Sequence, residues 1–271
     1  MTPQIVSEQS LPTPPQEYAT LCLGCMTDKG PAETCPNCGF DPEYERSRLV
    51  LPYWTLLNGK FLVGKVLGKP GGFGITYLAW DTVLHSATAI KEFLPSGAAT
   101  RVPGNTALHP HSREDAAHLS EGLEEFLREA RILVRLSHPN IVRVREFFNE
   151  NDTAYLVMDY CDGVSLDELL CRKGGRLSEV LALKLMLPLL AGLREVHKER
   201  FLHRDIKPSN IYLTRQGRPI LLDFGAARFA LGEKSSTLSV VLTPGYAPLE
   251  QYHPKGKQGP WTDVYACGAT L

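Results

Sequence analysis

The chain has almost no net charge: 29 basic side chains stand against 30 acidic ones, leaving −1 with histidine neutral. Without a basic excess there is no electrostatic footprint for a nucleic-acid backbone or an acidic lipid surface, so polyanion binding is not the default. A long uninterrupted apolar run is also missing. The longest, Val180 to Val196, carries Lys184, Arg194 and Glu195 and is interrupted by Pro188, which suits a buried helix better than a membrane span. The first twenty residues lack a basic start followed by an apolar stretch, so no secretory signal is evident and the cytoplasm is the expected compartment. Cysteine is scarce and uneven: Cys22, Cys25, Cys35 and Cys38 cluster, while Cys161, Cys171 and Cys267 stand alone. In a reducing compartment these are not expected to form disulfides.

What remains is a soluble composition, 43% hydrophobic and 22% charged over 271 residues, enough to bury one large or two smaller cores. Residues 1–17 hold Pro3, Pro12, Pro14 and Pro15 among polar neighbours and read as a disordered leader. Residues 18–45 contain two Cys-x-x-Cys pairs nine residues apart, in a stretch with few apolar side chains to build a core. Four thiolates at that spacing can close a tetrahedron around zinc, whose binding energy then replaces the missing core. Gly39 just after Cys38 suits a metal knuckle. Redox dithiols or idle cysteines are the alternatives. Asp28, Glu33, Asp41, Glu43 and Glu45 around the cluster weigh against nucleic acid as its partner.

After a linker at 46–60, three strand-like runs, "FLVGKVLG", "GITYLAW" and "ATAIKEFL", surround a glycine cluster and suggest a small sheet. A polar insertion follows. Leu119, Leu123, Phe126, Ala130 and Leu133 then recur at helical spacing. "IVRVREFF" and "TAYLVMDY", separated by Asn-Glu-Asn-Asp, read as a hairpin, and beyond Asp162 the pattern turns helix-rich.

The stretch "HRDIKPSN", 203–210, crowds an acid, a lysine and a carboxamide into six positions between a helical run and two short apolar runs, "IYL" and "ILLDFG". Loops held by rigid elements are where reacting groups sit. A hairpin from those two runs brings Asn210 to Asp223, thirteen residues on. One carboxamide oxygen facing one carboxylate makes a hard, oxygen-only site suited to magnesium and a phosphate.

His203-Arg204-Asp205 with Lys207 and Asn210, Asp223-Phe224-Gly225, and Ala89-Ile90-Lys91 together resemble the motif set of eukaryotic-type (Hanks-type) serine/threonine protein kinases of bacteria, over residues 61–271. The resemblance implies an α+β, bilobal fold: a small β-rich N-lobe with one helix at 61–160 and a helical, incomplete C-lobe at 161–271, behind a small zinc ribbon. It implies ATP and magnesium as partners of the site, structural zinc in the ribbon, a protein substrate with a Ser or Thr acceptor, and autophosphorylation. No nucleic acid and no membrane segment are expected.

By the same resemblance Asp205 takes the acceptor proton and Lys207 balances charge on the transferring group, while Asn210 and Asp223 hold the metals. Lys91 grips the α- and β-phosphates, steadied by Glu129. Gly68, Gly71, Gly72 and Gly74 form the phosphate-covering loop; Met158 is the gatekeeper, and the backbones of Asp159 and Cys161 meet the adenine. Lys207 and Thr243 point to the serine/threonine class. Arg204 before Asp205 marks kinases switched by phosphorylation of the activation segment, where Ser235, Ser236, Thr237 and Ser239 are the candidate acceptors. His138 and His203 are read as structural, and Asp263 stands where an aspartate braces the catalytic loop.

Four departures qualify the pattern. "LGKPGGFGITY" is one residue longer than Gly-x-Gly-x-x-Gly counted from Gly68, and Pro70 removes one N–H. The stretch "PSGAATRVPGNTALHPHSRED" lengthens the interval from Lys91 to Glu129 to about twice the usual one and reads as a surface excursion. "APLE" keeps only Glu250 of Ala-Pro-Glu, and the sequence stops at Leu271 without a helix terminator, as a fragment would. A pseudokinase-like nucleotide switch, a zinc-anchored scaffold and an inactive piece of a kinase are the alternatives to an enzyme.

Overall fold

A computed structural model describes residues 14–42, 47, 49–71, 74–95, 97–102, 105–224, 228–229, 242–253 and 255–271. They fall into two compact units: Met1–Ser112 with Phe148–Tyr155, and Arg113–Phe147 with Leu156–Leu271.

The first unit is built on β1 (Leu56–Leu57), β2 (Phe61–Gly71), β3 (Gly74–Asp81) and β4 (Ser86–Phe93), with β5 (Ala99–Thr100) and β6 (His109–Pro110) as a small separate ribbon. β3 and β4 pair without interruption from Gly74↔Phe93 to Asp81↔Ser86. The turn between them is closed by Asp81, whose Oδ1 accepts from the N–H groups of Val83 at 3.0 Å and Leu84 at 2.9 Å, the local bonding that makes aspartate a turn former. β2 and β3 pair less evenly: the register shifts between Val63 and Val66, and again between Leu67 and Gly71. Phe61, Leu62, Tyr77, Leu78 and Ile90 are buried, and because consecutive side chains of a strand point to opposite faces, both faces of the sheet are covered at Phe61–Leu62 and Tyr77–Leu78.

The sheet order is β1-β2-β3-β4-β8-β7, with β7 (Val144–Glu150) and β8 (Thr153–Asp159) forming the expected hairpin. Asn151 and Asp152 turn it with φ of 56° and 57°, the left-handed pair that a tight hairpin requires. The part of the hairpin in the first unit stacks Phe148 on Phe61 and on Tyr155 at centroid distances of 6.1 and 5.2 Å.

The polar insertion is not a loose excursion. Arg101, 4% exposed, forms an ion pair with the fully buried Glu92 of β4, and its guanidinium also donates to the carbonyls of Leu49 and Thr106. Tyr77 and Tyr155 donate to the same carboxylate at 2.9 and 2.8 Å, and the Leu51 N–H donates to the Tyr77 hydroxyl at 3.1 Å. Burial, and then the adjacent Glu92 charge, push both phenols above their ordinary range, so they remain O–H donors. A buried carboxylate with a guanidinium and two hydroxyls on it satisfies the requirement that interior charge be paired.

In the second unit α1 (Arg113–Leu133) buries Gly122, Ala130 and Leu133. It begins inside the stretch read as insertion. Next come β9 (Gly163–Ser165), α2 (Leu166–Arg172), α3 (Glu179–Lys198), β10 (Phe201–Leu202), β11 (Ile211–Thr214), β12 (Pro219–Leu221), β13 (Arg228–Phe229), α4 (Leu249–Tyr252) and α5 (Pro260–Thr270). Ser178 and Ser165 cap α3 and α2, accepting from the third residue on. α3 runs through Pro188 and buries one face, Leu185, Met186, Leu189, Leu193 and Val196, whereas Val180, Leu183, Leu187 and Leu190 stay exposed. The run expected to be buried is therefore half buried. Gly192 lets α3 approach the 138–141 loop, since a Cβ there would lie 2.9 Å from His138 Nδ1. That loop is stitched to β12: Asn140 Nδ2 donates to Pro219 O at 2.7 Å, Leu221 N to Asn140 O at 2.9 Å and Val142 N to Leu221 O at 3.0 Å.

Candidate active site and metal centre

The 203–210 loop leaves β10, passes through one 3-10 turn at Pro208–Asn210 and enters β11. Its conformation is fixed from two sides. Asp263 of α5, with no exposed surface, accepts from His203 N at 2.9 Å and His197 Nε2 at 2.8 Å on Oδ2, and from Arg204 N at 2.7 Å on Oδ1. Arg204 has φ of 68°, a left-handed backbone that costs a non-glycine residue about 1 kcal/mol. The bond from its N–H to Asp263, and the one from Gln251 Nε2 to its carbonyl at 3.0 Å, hold it there. From the other side, the buried His203 ring donates from Nε2 to Leu222 O at 2.9 Å, accepts from Asp205 N on Nδ1 at 3.3 Å, and lies 4.5 Å from the Phe224 ring. Both ring nitrogens are committed to backbone, which is a structural histidine's arrangement.

The loop side chains converge. Asp205 Oδ2 accepts from Lys207 Nζ at 2.8 Å and from Asn210 Nδ2 at 2.9 Å, and Oδ1 accepts from Thr243 Oγ1 at 2.8 Å. Lys207 Nζ also donates to Thr243 Oγ1 at 2.9 Å, so Asp205, Lys207 and Thr243 form a closed triangle. Asn210 Nδ2 bonds the Asp205 carbonyl as well, at 2.8 Å; with its nitrogen spent twice, the carboxamide oxygen is what Asn210 offers to a cation. The β11–β12 hairpin, in register at Ile211↔Leu221, places Leu222 N 2.8 Å from Asn210 O and so puts Asp223 beside Asn210. Asp223 has φ of 59°. A carboxamide and a carboxylate on adjacent strand ends are a hard oxygen pair of the kind magnesium takes.

Several of the remaining expected residues lie on regular elements. Lys91 sits in β4, 8% exposed, with Thr76 as its cross-strand partner, and Gly68, Gly71 and Gly74 lie at the facing ends of β2 and β3, where Gly71 pairs with Gly74. Gly68 adopts φ of 69°. Glu129 is on α1. Met158 and Asp159 end β8, where Asp159 N donates to Arg143 O at 2.9 Å. Burial, and then the nearby Asp159 charge, push the Cys161 thiol up to about 11, so the sulfur stays protonated at neutral pH. Gly72, Ser235, Ser236, Thr237 and Ser239 lie outside the described residues. Glu250, the retained acid of "APLE", accepts from Thr262 Oγ1 at 2.9 Å. Gln251 and His197 were not singled out by the sequence. Neither stands in a short motif, and their bonds to Arg204 and Asp263 join residues far apart in the chain that meet only once it is folded.

Near the N-terminus the four clustered sulfurs lie within 4.8 Å of one another. Cys22 and Cys38 are 3.7 Å apart, Cys25 and Cys35 3.8 Å. A tetrahedral centre with metal–sulfur bonds of about 2.3 Å has sulfur–sulfur edges of roughly 3.8 Å, so the cluster fits one ion. The two knuckles share one pattern: Cys22 N donates to Thr27 O and Met26 N to Cys22 O, as Cys35 N does to Phe40 O and Gly39 N to Cys35 O.

A sheet-bearing unit with a buried lysine, and a helical unit with an acid–lysine–carboxamide loop beside a second acid, define a protein kinase. Residues 61–271 match the protein kinase domain, and the chain belongs to that family. It is similar to serine/threonine-protein kinase C of Synechocystis sp., 35% identical over 226 residues covering 79% of this chain and 38% of the relative. Serine/threonine-protein kinase PkaA of Streptomyces coelicolor is 36% identical over 76% of this chain and 37% of its own length. A solved structure titled "PpkA-294 apo form" superposes with a TM-score of 0.70 at 38% identity, covering 82% of this chain and 77% of that one. The chain thus spans under two fifths of the length of these curated relatives.

Proposed function

We propose that the chain is a serine/threonine protein kinase that moves the γ-phosphate of ATP to a Ser or Thr hydroxyl of a protein, with magnesium. The observation that carries this is the closed triangle of Asp205, Lys207 and Thr243 with Asn210 bonded to the same carboxylate. Phosphoryl transfer asks mainly for positioning and charge neutralisation, and that cluster supplies both in one place. Asp205 orients the acceptor hydroxyl and takes its proton as the oxygen bonds to phosphorus and the bond to the ADP oxygen breaks. Lys207 neutralises charge on the moving group. Thr243 ties acid to lysine, the arrangement expected for a Ser or Thr acceptor.

Asn210 and Asp223 are the residues that fit magnesium, which when bound neutralises phosphate charge. Lys91, with Glu129, holds the α- and β-phosphates, and Gly68, Gly71, Gly72 and Gly74 cover them; Met158, Asp159 and Cys161 receive the adenine. Cys22, Cys25, Cys35 and Cys38 fit a structural zinc ion. The activation segment around Ser235, Ser236, Thr237 and Ser239 is the expected site of autophosphorylation, and the compartment is the cytoplasm. Among the described residues no helix is long and apolar enough to cross a membrane.

Radiolabelled ATP with a generic Ser/Thr protein substrate tests the reading in wild type, Asp205→Asn and Asp223→Ala. Label transfer abolished by either substitution supports it. Nucleotide binding without transfer in the wild type would instead indicate a switch or scaffold.

A further inference from the structure

The two knuckles differ at the position that takes the left-handed backbone. After Cys38 the left-handed residue is Gly39, φ 68°; after Cys25 it is Met26, φ 55°. A methionine there is strained where glycine would not be, and yet Met26 is 3% exposed. What covers it is β2. A Cβ on Gly64 would lie 2.3 Å from Met26 Cε and 2.6 Å from Leu23 O, so the absent side chain at Gly64 is what lets the knuckle sit on the strand. Lys65 N then donates to Leu23 O at 3.0 Å.

That bond falls at a weak point of the sheet. β2 loses register with β3 between Val63 and Val66, so Gly64 and Lys65 form a bulge. On the outer edge, Trp54 N donates to Val63 O and Val63 N to Thr55 O, each at 2.9 Å; two residues on, the ribbon takes over through Leu23. The first knuckle therefore continues the edge of β2 where the 54–57 segment stops, just ahead of Gly68. Phe40 of the second knuckle is the other anchor: it is edge-on to Tyr53 at 6.2 Å, and a Cβ on Gly24 would lie 2.3 Å from it.

We propose that the four-cysteine ribbon is a brace for the glycine-rich strand, with Met26 and Leu23 as positioning residues that clamp the Gly64–Lys65 bulge and thereby set the strand that covers the nucleotide phosphates. This rests on the kinase reading for its effect on ATP, but the docking itself does not. An unclamped bulge leaves one edge N–H without its partner and frees the segment leading to Gly68. Metal binding folds the knuckle, so the brace is present only in the loaded ribbon.

Met26→Gly separates the brace from the metal, because it gives the first knuckle the residue that the second already has. Zinc content by elemental analysis stays at the wild-type value. Hydrogen exchange at the Lys65 amide speeds up about tenfold or more, and ATP binding weakens about threefold to tenfold, the factor for one net hydrogen bond. The KM for ATP rises by the same factor, with the KM for protein substrate unchanged and kcat little altered. Met26→Leu, which refills the contact, restores wild-type values, and Gly64→Ala reproduces Met26→Gly from the strand side. Lys65 exchange as fast in the wild type as in Met26→Gly overturns the brace, and so does unchanged ATP affinity when exchange does accelerate. A wild-type protein that binds no ATP overturns the kinase reading, while Lys65 exchange still decides the docking.

Discussion

Replacing Asp263 with alanine removes the acceptor that shapes the catalytic loop. Its carboxylate is fully buried and takes bonds from three donors, His203 N, Arg204 N and His197 Nε2, at 2.7 to 2.9 Å. Hydrogen bonds to a charged acceptor contribute about 1.5–3 kcal/mol each. They do not add in full, because water can reach the His197 side chain, which is 15% exposed; the two loop N–H groups are left without a partner. A loss of about 3–5 kcal/mol follows, against a total stability of about 5–15 kcal/mol for a domain. With a urea slope of about 3 kcal/mol per molar, the midpoint falls by roughly 1–1.7 M. Asp263→Asn keeps one oxygen but turns an N–H₂ toward a donor, and should lose roughly half as much. Where Asp263→Ala is still folded, kcat drops by more than about tenfold because the left-handed Arg204 is then held only at its carbonyl, while ribbon zinc is unchanged. The reasoning is refuted by a midpoint within experimental error of wild type, or by a wild-type kcat in a folded Asp263→Ala protein.

Two further predictions concern polar clusters. Thr243→Val cuts the link between Asp205 and Lys207 and should lower kcat by about ten- to a hundredfold with little change in the KM for ATP, whereas Thr243→Ser retains most activity in the same steady-state assay. Glu92→Gln strips the charge partner from the buried Arg101 and should cost about 3–5 kcal/mol in denaturant unfolding, and Glu92→Leu with Arg101→Met, which removes both charges, should recover only a small part of that loss because the Tyr77 and Tyr155 hydroxyls lose their acceptor.

The convergence of the loop side chains was legible because they stand in one short motif: Asp205, Lys207 and Asn210 share one loop, and the hairpin that leads to Asp223 is encoded by two adjacent apolar runs. The ribbon was legible from cysteine spacing for the same reason. What could not be read is non-local. Arg101 lies in a stretch whose polarity reads as surface, and only the folded sheet shows Glu92, a single acid between Ile90 and Phe93, waiting beneath it. That acid in an apolar strand was the available signal. For the brace the signal was an asymmetry: "CLGCM" beside "CPNCG" puts methionine where the repeat puts glycine. Gln251 and His197 left none.

The same non-locality bears on how the site is maintained. Two residues flanking the reacting groups, Arg204 and Asp223, have left-handed backbones that their side chains disfavour, so the loop does not hold this shape on its own account. Arg204 is held at its N–H by Asp263 and at its carbonyl by Gln251, both from the 249–270 segment, and the hairpin holds the strand end before Asp223 through Leu222 N and Asn210 O. That segment is itself organised by Thr262, whose hydroxyl donates to Glu250 at 2.9 Å and accepts from Gly259 N at 3.2 Å. A chain ending before Pro260 would keep every residue of "HRDIKPSN" and lose the acceptor that positions it. The shape of the 203–210 loop is therefore a property of α5 as much as of the loop, and on the proposed function loss of α5 packing should silence transfer before it unfolds the β-sheet unit, whose buried Glu92 cluster involves none of those residues.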